Sequence, residues 1–311
     1  MTSVRHGAFL GSIAVLILAA PLCAQDLIPG AYVPAPVGYN LVSVASTFNS
    51  GDLSFDPSLP IEQGHATIGG SGLGFSRTLN IAGRFASIGV AGSYVLGHLD
   101  GLVLGQFREA SRSGLGDPAV RFAINLFGAP AMTRQQFAAS RSPTILGVSV
   151  VVGMPLGQYD PNRFVNIGTN RWSIKPEVGI SRRRGRWTVE GDFGAVFFTD
   201  NTNFLNGGIR EQAPIVAAQA HLTYTFRPGL WVAGDGNLWT GGRLTINGLD
   251  QQEQRNSRLG VTVAVPAGRQ QVRLAYSFGA FTTIGGDFQS LGVSYSYAWA
   301  GRLQLHCDSN S

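Results

Sequence analysis

Lysine is nearly missing from this chain: Lys175 is the only one among 23 basic residues, so the basic balance rests on arginine. Charge of either sign is sparse. Asp, Glu, Lys and Arg make up 13% of 311 residues, against about 25% in ordinary soluble domains, and so few charges in so long a chain predict an exterior that does not face water. Long apolar runs are missing too. After the first segment no stretch reaches the ~18 consecutive apolar residues of a helical span. If the mature chain lives in a membrane, it must cross as a closed barrel, because in lipid every backbone group has to be paired within the protein.

Cysteine is limited to Cys23 and Cys307. Arg5 and His6 precede the apolar run Ala8 to Ala20, and Leu22-Cys23-Ala24 stands ahead of Gln25. This pattern predicts a secretory signal over residues 1–24, cleaved after Ala24. The apolar run is shorter than the ~20 residues that span a bilayer. Lipoprotein processing at Cys23 is disfavoured by bulky Leu22. Cleavage would leave Cys307 alone, which excludes an internal disulfide, a cysteine metal site and a redox motif.

What is present is a repeated alternation. After a Pro-rich lead-in over 25–37, holding Pro29, Pro34 and Pro36, about ten residues of alternating polarity recur between Gly, Asn, Asp or Pro breaks, the pattern of a transmembrane β-barrel. In Ile174 to Ser181, Ile174, Pro176, Val178 and Ile180 oppose Lys175, Glu177, Gly179 and Ser181. Twelve strands are predicted at 38–48, 64–78, 84–96, 118–127, 144–154, 173–182, 187–199, 215–226, 230–241, 256–265, 271–282 and 288–299. The predicted fold class is therefore all-β: an antiparallel up-and-down barrel over 38–299, followed by a tail over 300–311. Gly69, Gly70, Gly72 and Gly74 blur the alternation of the early strands and leave their register open.

Connection lengths alternate long and short, in the phase expected if both termini are periplasmic. The segment 128–143 is a long turn in a short-turn position, where Thr133 to Ala139 suits a short helix. The last outer loop, 283–287, is short instead of long.

On the face opposite the apolar one lie Arg121, Lys175, Arg258 and Arg273 against Glu177, Glu190, Asp192 and Asp235, with His221 and Asn125 nearby in kind. Such charges must pair or stay hydrated in a lumen. They suit either a salt-bridge network that stiffens the wall or a polar solute path. Trp187, Tyr224, Phe226, Phe127, Tyr295, Tyr297 and Trp299 fall near strand ends on the apolar face, as interfacial girdles do.

Catalytic arrangements are thin. His221 and Thr223 share a face, but the pair lies on the lumen side and no serine follows to act as nucleophile. Glu190 and Asp192 could form a carboxylate pair, yet lumen charge pairing explains them more simply. His65, His98 and His306 are scattered, without metal-ligand spacing. No phosphate-binding glycine motif sits between a strand and a helix, and no cofactor is implied. Arg182 to Arg186 (RRRGR) lies in a tight turn and reads as a periplasmic charge cluster rather than a nucleic-acid patch.

Six runs in order carry a resemblance: SGLGDPAVRF (113–122), PLGQYDPNRFVNIGTNRWSIKPEVG (155–179), FFTDNTNF (197–204), AHLTYTFRPGLW (220–231), NSRLG (256–260) and IGGDF (284–288). They resemble the bacterial outer-membrane transporter family named for the MetA pathway of phenol degradation. The resemblance implies a Gram-negative outer-membrane barrel that helps small, often aromatic or hydrophobic compounds across. Its partners would be outer-membrane lipid, such a solute and the barrel assembly machinery, with no nucleic acid. It assigns no catalytic or ligand residues. One departure concerns assembly: barrels end on an aromatic residue, whereas this chain runs past Trp299 through AGRLQLHCDSNS.

Within the long central run, Gly157 to Trp172 is expected to form an outer loop. Arg163 and Arg171 there could bind a ligand or pin the loop into the mouth. With Tyr159, Asp160 and Asn170, they make the outer-loop gate candidates. A channel or transporter is the function these features support first, and a non-conducting barrel with a charge-plugged lumen second.

Overall fold

The structure, a computed structural model, describes residues 27–55, 61–140, 144–163, 165–205, 207–268 and 270–301. The expected signal over 1–24 and nearly all of the tail, from 302 on, lie outside them. The wall begins with β1 (Tyr39–Ser54), β2 (Ile61–Ile81) and β3 (Arg84–Val103). The fourth position is shared by β4 (Gln106–Leu115) and β5 (Ala119–Phe127). After α1 (Arg134–Ala139) come β6 (Thr144–Gly153), β7 (Ser173–Arg184) and β8 (Trp187–Phe198). Two short strands, β9 (Asn201–Phe204) and β10 (Gly208–Gln212), precede β11 (Ile215–Arg227) and β12 (Leu230–Gly241). Two more, β13 (Leu244–Ile246) and β14 (Leu249–Asp250), precede β15 (Gln254–Ala267), β16 (Gln270–Thr282) and β17 (Gly285–Ala300).

Each wall strand pairs antiparallel with its neighbours, and β1 closes on β17 from Tyr39↔Ala300 to Ser54↔Gly285. The result is a closed twelve-position barrel. Closure of β1 on β17 removes the free edges that the first and last strands would otherwise expose. Its apolar side chains point outward: Val178, Ile180, Val189, Phe193, Leu222, Leu259 and Leu274 are all exposed, while the polar residues alternating with them are buried. This inversion of a soluble core follows from lipid being the solvent outside.

All twelve expected strands form, with ends that move by a few residues. The main correction is in the first quarter, where 97–117 was expected to be a loop. There β3 runs on to Val103 and turns at Leu104 and Gly105, both at positive φ, into β4, which pairs back with it from Val103↔Gln106 to Tyr94↔Leu115. Beyond the lipid neither face is greasy, so the alternation that marks a membrane strand fades although the backbone pairing continues. Pro118, without an N–H, separates β4 from β5. The loops after β8 and β12 also hold structure: β9, β10, β13 and β14 form a separate four-stranded outer sheet. The short helix appears as expected, with Thr133 capping it reciprocally with Gln136.

Candidate functional site

The lumen holds a segment of the chain that precedes the first strand. The described part of the lead-in, from Leu27 to Gly38, runs inside the wall and ends at the short-turn end. There Val37 N–H donates to Met132 O and Gly38 N–H to Thr78 O. Its centre is Tyr32, only 3% exposed. The phenol hydroxyl lies 3.0 Å from Ser149 Oγ and donates to Glu177 Oε1 at 3.1 Å. Asn125 Nδ2 donates to Tyr32 O at 2.9 Å, and Gly30 N–H to Glu190 Oε2 at 3.0 Å.

Two glycines make the slot for the ring. Gly147 on β6 and Gly179 on β7 are direct cross-strand partners. A Cβ at either would come within 2.2 Å of the Tyr32 ring. Removing two side chains from adjacent inner positions creates the depression that an aromatic ring fills. Neither the slot nor its occupant was anticipated from the sequence; a pair of inward-facing glycines opposite one another was the available signal.

The sequence-derived lumen residues all point inward, but they form local contacts rather than opposed ladders. Lys175 Nζ reaches Glu177 Oε2 at 2.9 Å. His221 Nδ1 is 2.8 Å from Asp235 Oδ1 and its Nε2 is 3.9 Å from Asp192 Oδ2. Asp235 also accepts from Thr262 Oγ1 at 2.6 Å. Arg258 donates to Phe288 O and Ser290. Arg273 lies over the Trp231 ring, and Arg121 over Tyr32 at 5.3 Å, with both its terminal nitrogens lacking a hydrogen-bond partner among the described residues. The plug therefore threads between the charges: Glu190 and Glu177 accept from it, and Arg121 covers its ring. The imidazole of His221 is engaged with Asp235 rather than with Thr223.

The outer loop is tied down. Asp117, between β4 and β5, accepts from Gly157 N–H at 2.8 Å, Thr169 N–H at 2.8 Å and Thr169 Oγ1 at 2.6 Å. Asp160 pairs with Arg163 at 2.8 Å, and Asn166 bridges the same turn by donating to Asp160 O and Arg163 O. Tyr159 donates to Asn203 O and accepts from Asn201, while Asn170, at positive φ, donates to Asn201 Oδ1. Arg171 stacks on Phe198 at 4.3 Å and donates to Gln212 of the outer sheet. Burial pulls its guanidinium down to about 9, and nearby Arg210 adds to the shift while Asp117 and Asp200 oppose it. It is a cation at neutral pH all the same. Asp117 was not among the expected site residues, although it lies in one of the quoted runs.

Between loop and plug lies a cavity of about 410 Å³. Leu27, Ile28 and Pro29 of the plug bound it from within, and Val165, Asn166 and Ile167 of the outer loop bound it from outside. Val95, Leu99 and Phe288 make its wall apolar, while Arg112, Asp235, Arg258 and Arg273 bring charge to its margin. The cavity also touches Tyr276, Leu291 and Val293, whose side chains lie on the lipid-facing side of β16 and β17. These three residues are still paired, Tyr276 with Leu291 and Val293 with Leu274, but one residue further the β16–β17 ladder stops at Ser277↔Ser290, and beyond it β16 pairs only with β15 and β17 only with β1. Arg258 takes the carbonyl of Phe288 that the missing ladder would otherwise engage.

A closed twelve-position barrel with an apolar belt and short turns at one end defines a β-barrel of the outer-membrane class. The comparisons agree. The chain is similar in structure to the COG4313 outer membrane channel from Pseudomonas putida F1, at 20% identity with a TM-score of 0.74, covering 88% of this chain and 100% of that one. It is also similar to the transport unit of the autotransporter AIDA-I from Escherichia coli, at 10% identity with a TM-score of 0.50, covering 90% of this chain and 95% of that one. No curated protein matches it. Residues 30–297 match the family "Putative MetA-pathway of phenol degradation", and the chain belongs to that family. The protein resides in the outer membrane.

Proposed function

We propose that the barrel carries small apolar, often aromatic compounds into the outer membrane, and that it is a passive conduit rather than an enzyme. The observation that carries this reading is the cavity, which is walled largely by apolar side chains and extends to Ser277, Ser290 and Phe288, where β16 and β17 part, next to lipid-facing Leu291. A solute entering past the outer loop would leave sideways into lipid, without passing the plug. In this reading Arg121, Lys175, Glu177, Glu190 and Asp192 hold the plug and the wall, and His221, Asp235, Arg258 and Arg273 hold the lumen and cavity margin. Tyr159, Asp160, Arg163, Asn170 and Arg171 set the position of the loop that gates entry. The last strand, GVSYSYAW, is what the assembly machinery reads.

The test is initial uptake of labelled toluene by cells deleted for the gene and complemented with wild type or with Leu291→Arg, which places a charge at the lateral gap. Wild type should restore uptake and the variant should not, although both barrels reach the outer membrane. Equal toluene uptake by the deleted and complemented strains would remove the reading. A second reading, a non-conducting barrel that only binds its ligand, is favoured by the plug that fills the lumen. It predicts saturable toluene binding to the purified protein with no change in uptake.

A further inference from the structure

Charge is distributed very unevenly along the barrel axis. The short-turn end comprises residues 77–88, 124–146, 180–189, 222–233, 263–272 and 294–301, and among the described residues of these segments there is no Asp or Glu. The opposite end carries both signs, with ion pairs such as Asp160–Arg163 and Arg243–Asp250. At the short-turn end the arginines concentrate where β7, β8 and β11 turn: Arg182, Arg183, Arg184, Arg186 and Arg227 are all exposed.

Two of them face lipid. On β7 the exposed positions Val178 and Ile180 continue in register into Arg182 and Arg184, so both guanidinium stems start from the lipid-facing surface. Their Cα atoms are about 7 Å apart along a strand. Arg184 pairs across the ladder with Trp187, and Trp187 pairs with Tyr224. The rings of Trp187, Tyr224 and Phe226 pack edge to face at 4.8 and 4.9 Å, and Arg186 Nη1 approaches Tyr224 OH at 3.4 Å. An aromatic cluster on the apolar belt marks the membrane interface. Arginines at that depth meet the phosphate layer.

We propose that the β7–β8 and β11–β12 turns form a binding site for an anionic phospholipid of the periplasmic leaflet. Arg182 and Arg184 take its phosphate groups, and the Trp187–Tyr224–Phe226 cluster packs against its acyl chains. Guanidinium groups bind phosphate oxygens bidentately. Among the described residues, no carboxylate in this end competes for them. A zwitterionic headgroup brings an ammonium with each phosphate and leaves the arginines uncompensated, whereas phosphatidylglycerol or cardiolipin does not. The site is independent of the cavity and of the solute.

The test uses the full barrel in detergent, with bound lipid read by native mass spectrometry. Cardiolipin, phosphatidylglycerol, phosphatidylethanolamine and lipid A are offered separately to wild type, to Arg182→Gln/Arg184→Gln, and to the outer-end control Arg243→Gln/Arg255→Gln. Folding is checked by circular dichroism. Wild type should prefer cardiolipin and phosphatidylglycerol over phosphatidylethanolamine, and the inner double variant should bind these anionic lipids about 30-fold more weakly, given the attraction of each of the two arginines to an anionic surface. The outer control should keep it. Equal retention of anionic lipid by wild type and the inner double variant would overturn the proposal. So would a wild-type preference for lipid A, which belongs to the other leaflet. Should the double variant fail to fold, the wild-type comparison alone decides: no preference for the two anionic phospholipids over phosphatidylethanolamine refutes the site.

Discussion

Replacing Tyr32 by alanine should open a lumen that the wild-type chain keeps shut. The ring is almost fully buried, sits in the slot left by Gly147 and Gly179, lies under Arg121, and is bonded through its hydroxyl to Ser149 and Glu177. Truncating a buried aromatic side chain to alanine costs about 3–5 kcal/mol. Water can fill the vacated slot, because the surrounding groups are polar and lie in a lumen, so the low end of that range, about 3 kcal/mol, applies. At 1.4 kcal/mol per factor of ten, this raises the population of the released plug about 100-fold. The backbone ties at Gly30, Val37 and Gly38 remain, so release is a shift in equilibrium rather than a loss of the segment. The assay is single-channel recording in planar bilayers, in which open time should rise steeply while the unfolding midpoint of the wall stays nearly constant. Gly179→Val attacks the same slot from the wall side and should reproduce the phenotype with Tyr32 intact. A folded Tyr32→Ala barrel with wild-type conductance would refute the plug argument.

Two further predictions address the wall and the outer loop. Lys175→Met leaves Glu177 buried without its cation and should lower stability by about 3–5 kcal/mol, read as a shifted guanidinium midpoint; Lys175→Met/Glu177→Met should recover much of it, and a single variant as stable as wild type would show that the pair is hydrated. Asp117→Ala removes the acceptor of three hydrogen bonds that hold Gly157 and Thr169, so trypsin should cut after Arg163 in intact cells expressing the variant and spare wild type; equal resistance would mean that the loop is held elsewhere.

The wall was legible because lipid enforces a strict period of two. Ile174, Val178 and Ile180 had to alternate with Lys175, Glu177 and Ser181, and each of these strands lies where the pattern put it. The same physics explains what was missed. Outside the bilayer β4, β9, β10, β13 and β14 have no face turned to lipid, so pairing leaves little trace in composition. The lumen charges were legible as inward residues, but not their partners, since Lys175–Glu177 is a same-strand contact while His221–Asp235 crosses to the next strand.

The plug was hidden for a different reason. Tyr32 looks like any aromatic residue in a Pro-rich lead-in, and its meaning lies in two glycines more than a hundred positions away. Pro34 and Pro36 suit such a segment because they need no hydrogen-bond partner for their nitrogens, and an irregular chain inside a barrel has no ladder to join. With the axial path filled by the chain itself, a charged inner face no longer argues for a hydrophilic pore. Glu190 and Glu177 accept hydrogen bonds from the plug, Arg121 covers its ring, and Arg258 caps the carbonyl exposed where β16 and β17 part. In the proposed reading, the lumen charges close the straight route and border the lateral one, the arrangement expected of a channel whose solute belongs in lipid.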